Sequence, residues 1–204
     1  LLVRQMIRGE DEGPRFVSHP VESNMELLKG GNEEERKQER NRLRNDNRRQ
    51  GEEFLSWWVD RMLAGHAPLR ERMTLFWHGF FTSDATKVRL VELMIDQNEL
   101  LRVHALGNFG EMLHAIVRDP AMLIYLDNIS NTEVSPNENL ARELMELFSL
   151  GEGNYTEEDI REVARALTGY GIDSKREFSF NPRKHDFGTK TILGVEGRHD
   201  ARDV

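Results

Sequence analysis

The sequence contains no cysteine among its 204 residues. This absence excludes disulfide bonds, thiolate metal sites and cysteine nucleophiles, although it does not identify a cellular compartment. Long apolar runs are also missing, and the run AMLIYL at residues 121–126 is far too short to span a bilayer. We therefore expect neither cysteine chemistry nor a membrane span.

An excess of basic residues is missing too. The chain has 28 Lys and Arg against 36 Asp and Glu, which gives a formal net charge of -8. Because an acidic chain repels phosphate backbones, we expect no nucleic-acid partner and leave a protein partner open. The chain begins at Leu1 without a signal-peptide pattern. We expect it to be a piece of a longer protein, so export stays open.

Charged residues are concentrated at residues 32–53, in NEEERKQERNRLRNDNRRQGEE. This block has seven acidic and seven basic residues and no aromatic residue, with most acids first. That order suits a helix dipole and Glu–Arg pairs four residues apart, and it favours a solvated helix or arm over a nucleic-acid arm. Residues 1–31 predict loops with a short helix near the start. We predict an irregular segment with a charged arm at residues 1–52, followed by a helical core domain at residues 53–204.

Helical periodicity follows the arm. EEFLSWWVDRMLAG predicts a helix closed by Gly65, and TEEDIREVARALTG predicts one that starts with a capping box of Thr156 and Asp159. Gly169 is a helix-ending signal. EFSFN and KTILG then resemble two short strands joined by PRKHDFGT. The predicted fold class is mainly α, an irregular multi-helix, bundle-like domain with a small β-hairpin near the C-terminus.

Several long motifs occur in a fixed order. They include LRERMTLFWHGFFTS, QNELLRVHALGNFGEMLHAIVRDPAMLIYLDN, PNENLARELMELFSLGEGNYTEEDIREVARALTGY and FNPRKHDFGTKTILG. Together they resemble the bacterial family catalogued as domain of unknown function 1800. The resemblance covers about residues 53–194, whereas residues 1–51 resemble the family poorly. It implies a helical bacterial protein that is often exported, and it implies no agreed activity, so the chemistry must be argued from residues.

One helix of the family motif carries a narrow polar line. In SPNENLARELMELFSLG, at residues 135–151, Pro136 fits a helix entry and Asn137 can cap it. At about 100° per residue the polar side chains fall in one sector, roughly a third of the circumference. They are Asn139, Arg142, Glu143, Glu146 and Ser149. We predict a helix packed on several sides, with this polar line facing water or an internal cleft.

Two interpretations of the polar line are open. In the structural one, Glu138 and Glu146 each lie four residues from Arg142 and form ion pairs with it. In the functional one, Glu143 and Glu146 are catalytic acid/base groups or metal ligands. The accompanying binding residues would be Arg142, Asn139 and Asn137.

The segment HDFGTK adds a second candidate group. His185 and Asp186 are candidate catalytic residues, because a carboxylate next to a histidine can orient the imidazole. Lys190 is a candidate binding residue on the same turn. The alternative is a hairpin loop in which Asp186 pairs with Lys190 and has no catalytic role.

Histidines and acids outside these segments raise the question of a metal. His104 and His78 are candidate metal ligands, since imidazole and carboxylate groups together bind divalent ions. No HExxH motif is present, and EMLH at residues 111–114 occurs once where di-iron bundles need two such motifs. A divalent metal cofactor therefore stays open.

Aromatic residues cluster on two of the predicted helices. They are Trp57, Trp58, Phe76, Trp77, Phe80 and Phe81. They could form a platform for a sugar or lipid, but their helical spacing favours packing in the core.

The function predicted from the sequence is a helical binding or assembly module that uses the cleft beside the PNENLARELMEL helix. The alternative is a metal-assisted or acid/base hydrolase that uses carboxylates and histidines beside the same helix. Whether the protein is an enzyme stays open at this point. An enzyme requires Glu143 or Glu146 within hydrogen-bond or ligand distance of a histidine in a concave pocket.

Overall fold

A computed structural model describes residues 13–19, 21–65 and 67–200 of the chain. The described residues form nine α-helices, with these bounds: Met25–Gly30 (α1), Glu33–Ala64 (α2), Pro68–Phe80 (α3), Ala85–Val88 (α4), Val91–His104 (α5), Phe109–Ile116 (α6), Pro120–Tyr125 (α7), Asn139–Glu146 (α8) and Glu157–Ala166 (α9). The short helix predicted near the start of the chain and the last four residues of the predicted core domain lie outside the described residues.

Four short strands follow the helices, and they form two separate antiparallel pairs. Tyr170–Ile172 (β1) pairs with Phe178–Phe180 (β2), and Lys190–Ile192 (β3) pairs with Val195–Gly197 (β4). The mainly helical class with a small strand element near the C-terminus is confirmed. The pairing differs from the predicted hairpin, because β2 and β3 each pair with a neighbour across a tight turn and not with each other.

The charged arm and the first predicted core helix are one continuous helix, α2. Asn32 forms a capping box with Glu35, and Gly65 ends the helix in the left-handed region at φ 70°. Gln50 is buried, so the arm packs against the rest of the molecule on one side. The predicted boundary after residue 52 falls inside this helix, and the division into two domains stays a prediction. No helix in the described part of the chain is long and apolar enough to cross a membrane.

Most side chains of the main hydrophobic core come from the part of the chain that runs from α5 to β1. Helices α6 to α9 contribute most of its buried side chains, and Phe81 joins them from the end of α3. Of the six clustered aromatic residues, Trp58 and Phe81 are buried, whereas Phe76 is 53% exposed. Trp58 belongs to a second, smaller cluster with Phe54 and Ile95, which joins α2 to α5. The aromatic residues therefore mostly pack helices together.

A polar ridge on α9 fixes the position of the C-terminal strands. Asp159 completes the predicted capping box with Thr156 and also accepts a hydrogen bond from the backbone N–H of Leu193 at 2.6 Å. One turn further along, Glu162 accepts from the N–H of Thr191 at 3.0 Å. Because the side chains of one helix satisfy backbone donors of the strands, β3 and β4 are held against α9 although they do not extend a larger sheet.

The turn between β3 and β4 suggests a stabilising substitution. Leu193 and Gly194 both have positive φ, 50° and 79°, as in the two-residue type I′ turn that favours Asn-Gly. A leucine in this region is strained, so we expect Leu193→Asn to raise the free energy of unfolding by about 0.5–1 kcal/mol. Chemical denaturation measures this change, with Leu193→Ala as the control that keeps the strain. If Leu193→Asn is no more stable than Leu193→Ala, Leu193 is not strained in a type I′ turn.

Candidate functional site

The helix with the polar line, α8, is shorter than the sequence predicts. It covers Asn139–Glu146, and the following residues turn with wider hydrogen bonds such as Phe148 N–H to Glu143 O at 2.9 Å. The N-cap of this helix is Glu138 and not the predicted Asn137, although Asn137 Oδ1 accepts from the N–H of Asn139 at 3.0 Å just before the helix. The apolar side chains Leu140, Ala141, Leu144 and Met145 are all buried. These residues form one side of the helix, so α8 is packed on its apolar side, and packing on several sides stays a prediction.

Arg142 is engaged in ion pairs at the surface. Its two terminal nitrogens lie 2.9 and 2.7 Å from the carboxylate oxygens of Glu157, and Nη2 lies 3.3 Å from Glu138. The expected pair with Glu138 is therefore present, and the expected pair with Glu146 is absent. The shorter contacts of Arg142 are with Glu157 in the first turn of α9. These pairs link α8 to α9, and they leave Arg142 less available for an anionic ligand.

Glu143 and Glu146 sit side by side on the same half-buried face of α8. Glu146 accepts a hydrogen bond from the Tyr155 hydroxyl at 2.9 Å. Burial, followed by the negative charge of Glu146, raises the pKa of Glu143. No hydrogen bond joins either carboxylate to a histidine within the described residues. Neither carboxylate therefore meets the hydrogen-bonding condition stated above for an enzyme.

The candidate metal ligands are dispersed. His78 packs its ring against Trp58 with centroids 5.1 Å apart, and burial together with the positive charge of Arg102 lowers the pKa of His78 to about 4. A cation beside the imidazole opposes the binding of a second cation. His104 lies half-buried at the end of α5. Across residues 13–19, 21–65 and 67–200, no group of three or more His, Asp or Glu side chains could hold a metal ion. These residues do not fit a metal site.

His185 is held by Thr168 and not by Asp186. Its Nδ1 lies 2.8 Å from the carbonyl oxygen of Thr168, so we assign the ring proton to Nδ1 and a free lone pair to Nε2. Asp186 instead forms an ion pair with Arg165, whose Nε donates to Oδ2 of Asp186 at 2.6 Å. This guanidinium is the largest cause that lowers the pKa of Asp186. The expected contact from Asp186 to His185 is replaced by a contact from the end of α9.

Lys190 is a buried cation at the start of β3. Lys190 is only 1% exposed, and its Nζ donates to the carbonyl oxygens of Asp186 at 2.6 Å and Gly188 at 3.1 Å. Burial lowers the pKa of Lys190. The ammonium therefore has two fixed acceptors, both backbone carbonyls, and one further N–H without a protein acceptor in the described residues. The predicted side-chain pair of Asp186 and Lys190 is absent, although the carbonyl of Asp186 takes its place.

A cavity of about 570 Å³ brings His185 and Lys190 together. The rings of Tyr170, Phe178 and Phe180 line it from the first strand pair, and Phe187 lines it from the loop. Phe180 and Phe187 both stand edge-on to the His185 ring, with centroids 5.2 and 4.7 Å away. The volume lies within the range of small-molecule sites, which are mostly apolar with a few convergent polar groups.

The charged side chains that line this cavity are mainly positive. Arg118, Arg198 and Lys190 line it, against the single carboxylate of Asp200. Phe187 is 61% exposed and Phe180 is 43% exposed, which leaves two ring surfaces open to solvent at the cavity. We call this site the C-terminal pocket. Its chemistry suits an anionic group near Lys190 and a planar or apolar body against the rings.

Of the candidate residues in the sequence, the pocket includes His185 and Lys190. Asp186 supports its wall, whereas Glu143, Glu146, Arg142, Asn139 and Asn137 belong to α8 and its entry and do not line it. The aromatic wall was missed. Phe178 and Phe180 alternate along a strand, so their common face could have been found from the period of two. Arg118 and Tyr170 lie far apart in sequence and carry no such signal.

The fold and the cavity define a mainly helical domain with an aromatic-walled, positively charged pocket beside two short strand pairs. The chain belongs to the family described as protein of unknown function (DUF1800), which matches residues 3–204. The match therefore includes almost all of residues 1–51, where we expected only a poor resemblance. Comparison with curated proteins and with solved structures finds no match.

Proposed function

We propose that this protein is a binding module and that the C-terminal pocket takes a small anionic ligand with a planar or apolar body. One observation carries the proposal: Lys190, a buried lysine whose Nζ has one N–H without a protein acceptor in the described residues, lines an aromatic-walled cavity together with His185. A buried cation is costly to desolvate, and a ligand anion would offset that cost. The cleft beside α8 predicted from the sequence is the less supported location, because Arg142 is already paired there.

The aromatic rings support the second half of the proposal. Phe187 and Phe180 are both exposed and both line the cavity, and an exposed apolar patch at a cavity is typical of a binding site. A planar ligand that stacks on Phe187 and Phe180 would remove this surface from water. The same rings do not pack into the main core, so they are available without disturbing the fold.

Paired ligands test the proposal. We expect aromatic carboxylates to bind and their neutral carboxamide analogues to bind about tenfold or more weakly, because the charge-assisted hydrogen bond is lost. Isothermal titration gives the two dissociation constants. Equal affinity for the carboxylate and carboxamide members of each pair would contradict an anion site.

Substitutions locate the binding. Lys190→Met removes the charge at similar size, and we expect about a tenfold to hundredfold loss of carboxylate affinity. Lys175→Met, at an exposed position on the β1–β2 turn, is the matched control and should leave affinity unchanged. Since Lys190 also satisfies two carbonyls, Phe187→Ala serves as a second variant whose exposed position spares the fold. Unchanged affinity in Phe187→Ala would place any binding elsewhere.

A second candidate function is an acid/base hydrolase at α8. Burial, followed by the charge of Glu146, raises the pKa of Glu143, and this favours it because a raised carboxyl pKa suits a general acid. The test is hydrolysis of a panel of chromogenic esters and glycosides by the wild type and by Glu143→Gln. Activity lost in that variant, with a pH profile that reports Glu143, would support it. Bacterial origin and export stay predictions of the sequence.

A further inference from the structure

A second concave surface lies along the arginine-rich part of helix α2. A groove of about 880 Å³ runs between this helix and the segment from α4 to the start of α5. Four arginines line it, Arg40, Arg44 and Arg48 from α2 and Arg89 from the turn after α4. We call this surface the arginine groove.

The arginines of the groove are short of acidic partners. Arg48 lies 3.5 Å from Glu52, and both side chains are well exposed. Within the described residues, Arg40, Arg44 and Arg89 form no ion pair. The chain has 36 acidic residues, and Arg42 on the same helix is paired with both Glu39 and Asp46. Three uncompensated cations in an acidic chain therefore mark this surface as a place for an external anion.

Apolar side chains line the groove together with the arginines. Leu43 and Leu55 from α2 and Val91 from α5 line it between the arginines. Leu55 is 57% exposed, and Val59 and Leu63 continue outward from it at four-residue spacing with exposures of 49% and 78%. Because these residues share one face of the helix with Arg44 and Arg48, the charged and apolar surfaces are continuous.

We propose that the arginine groove docks an acidic amphipathic helix of a partner protein. Arg40, Arg44 and Arg48 are four residues apart, so their stems rise by about 6 Å each along the helix. A facing helix with glutamates one turn apart matches that spacing, and its apolar stripe fits against the leucines. A nucleic acid fits less well, because no aromatic side chain lines the groove for base stacking and the protein is acidic overall.

The test uses a fluorescein-labelled synthetic helix with glutamate at every fourth position beside a stripe of leucine. Fluorescence anisotropy compares the wild type with the double variant Arg40→Glu/Arg44→Glu. We expect about a tenfold or greater loss of affinity, and weaker wild-type binding as salt is added. Lys29→Glu/Arg72→Glu makes the same charge change at two exposed cations outside the groove and should bind as the wild type does. Circular dichroism verifies that both double variants stay helical.

A charge-reversed peptide provides the rescue. With lysine in place of each glutamate, it should bind the Arg40→Glu/Arg44→Glu variant better than it binds the wild type. The proposal is overturned if a scrambled peptide of the same composition binds equally well, or if the control variant loses as much affinity. Equal binding of single-stranded DNA would indicate a general polyanion surface instead. Self-association of the wild type that disappears in Arg40→Glu/Arg44→Glu would make a second copy the occupant, which also overturns it.

Discussion

Glu71→Ala is expected to lower the free energy of unfolding by about 3–5 kcal/mol, because it leaves two buried guanidiniums without their shared carboxylate. Glu71 is only 2% exposed, and its Oε1 accepts from Arg61 Nε at 2.7 Å and from Arg102 Nε at 2.9 Å. Its Oε2 accepts from the indole N–H of Trp58 at 2.9 Å. One carboxylate thus joins α2, α3 and α5.

The protonation of Glu71 follows the same balance. Burial is the largest single effect and acts to raise its pKa, but the hydrogen bonds from Arg102 and Arg61 outweigh it, so the pKa is lowered. A lowered pKa means that the unfolded state binds the proton more readily. The stabilisation is therefore present above the ordinary carboxyl pKa and is lost as the pH falls below it.

Chemical denaturation at neutral pH measures the effect of Glu71→Ala. Glu71→Gln separates charge from volume, and we expect it to be nearly as destabilising as Glu71→Ala because the amide removes the negative charge that Arg61 and Arg102 share. Glu99→Ala is the control: Glu99 also pairs with Arg102 but is one-third exposed, so its removal should cost no more than about 1 kcal/mol. If Glu71→Ala costs no more than Glu99→Ala, the buried network does not stabilise the fold as described.

Asp119→Asn is expected to become progressively more stable than the wild type as the pH rises from about 4 to about 7. Asp119 caps α7 and is 2% exposed; its Oδ2 accepts from Gln97 Nε2 at 2.7 Å and from the N–H of Met122 at 2.8 Å. Burial raises the pKa of Asp119 to about 7. Asparagine keeps an acceptor for both donors and remains neutral at every pH.

The sign follows from proton binding. Between its ordinary pKa and its raised folded value, Asp119 binds a proton in the folded state and not in the unfolded state, so rising pH destabilises the fold. The difference between an ordinary pKa of 3.8 and a folded pKa of about 7 corresponds to on the order of 4 kcal/mol. His78 acts in the opposite direction, because its pKa is lowered to about 4 and its neutral form becomes favourable as the pH rises. The two effects partly cancel in the wild type.

The difference between Asp119→Asn and the wild type isolates the carboxyl group, since His78 is common to both. Free energies of unfolding measured from pH 4 to pH 8 should diverge with the variant becoming the more stable. Parallel curves across this range would show that Asp119 ionises in the folded protein as it does in water.

Features set by neighbours in sequence could be predicted well. The capping box of Thr156 and Asp159 is confirmed, because it depends on residues within one turn. Gly169 has a positive φ of 79°, but the C-cap of α9 is Leu167, two residues before the predicted signal. The mainly helical class follows from the period of the apolar residues. The continuous helix α2 was divided in two, because the change from charged to apolar composition resembles a boundary even when the backbone is uninterrupted.

Features that depend on distant residues could not be predicted. Glu71 and Arg102 lie 31 residues apart and resemble ordinary surface charges in the sequence, yet both are buried together. The pair of Arg142 with Glu138 follows from their four-residue spacing, but the nearer partner, Glu157 of α9, does not. For the candidate site, His185 and Lys190 were selected from one short segment, but only the folded chain shows which of their atoms are satisfied and which rings surround them.

A ¹⁹F NMR screen shows whether the C-terminal pocket binds an anion with a planar body. Fluorinated aromatic carboxylates and their carboxamide twins would be mixed with the wild type and with Phe187→Ala. We expect the ¹⁹F resonances of the carboxylates to broaden with the wild type and those of the matching carboxamides to remain sharp. The broadening should be lost with Phe187→Ala. If the carboxylate resonances never broaden, or broaden equally with both proteins, the C-terminal pocket does not bind such ligands.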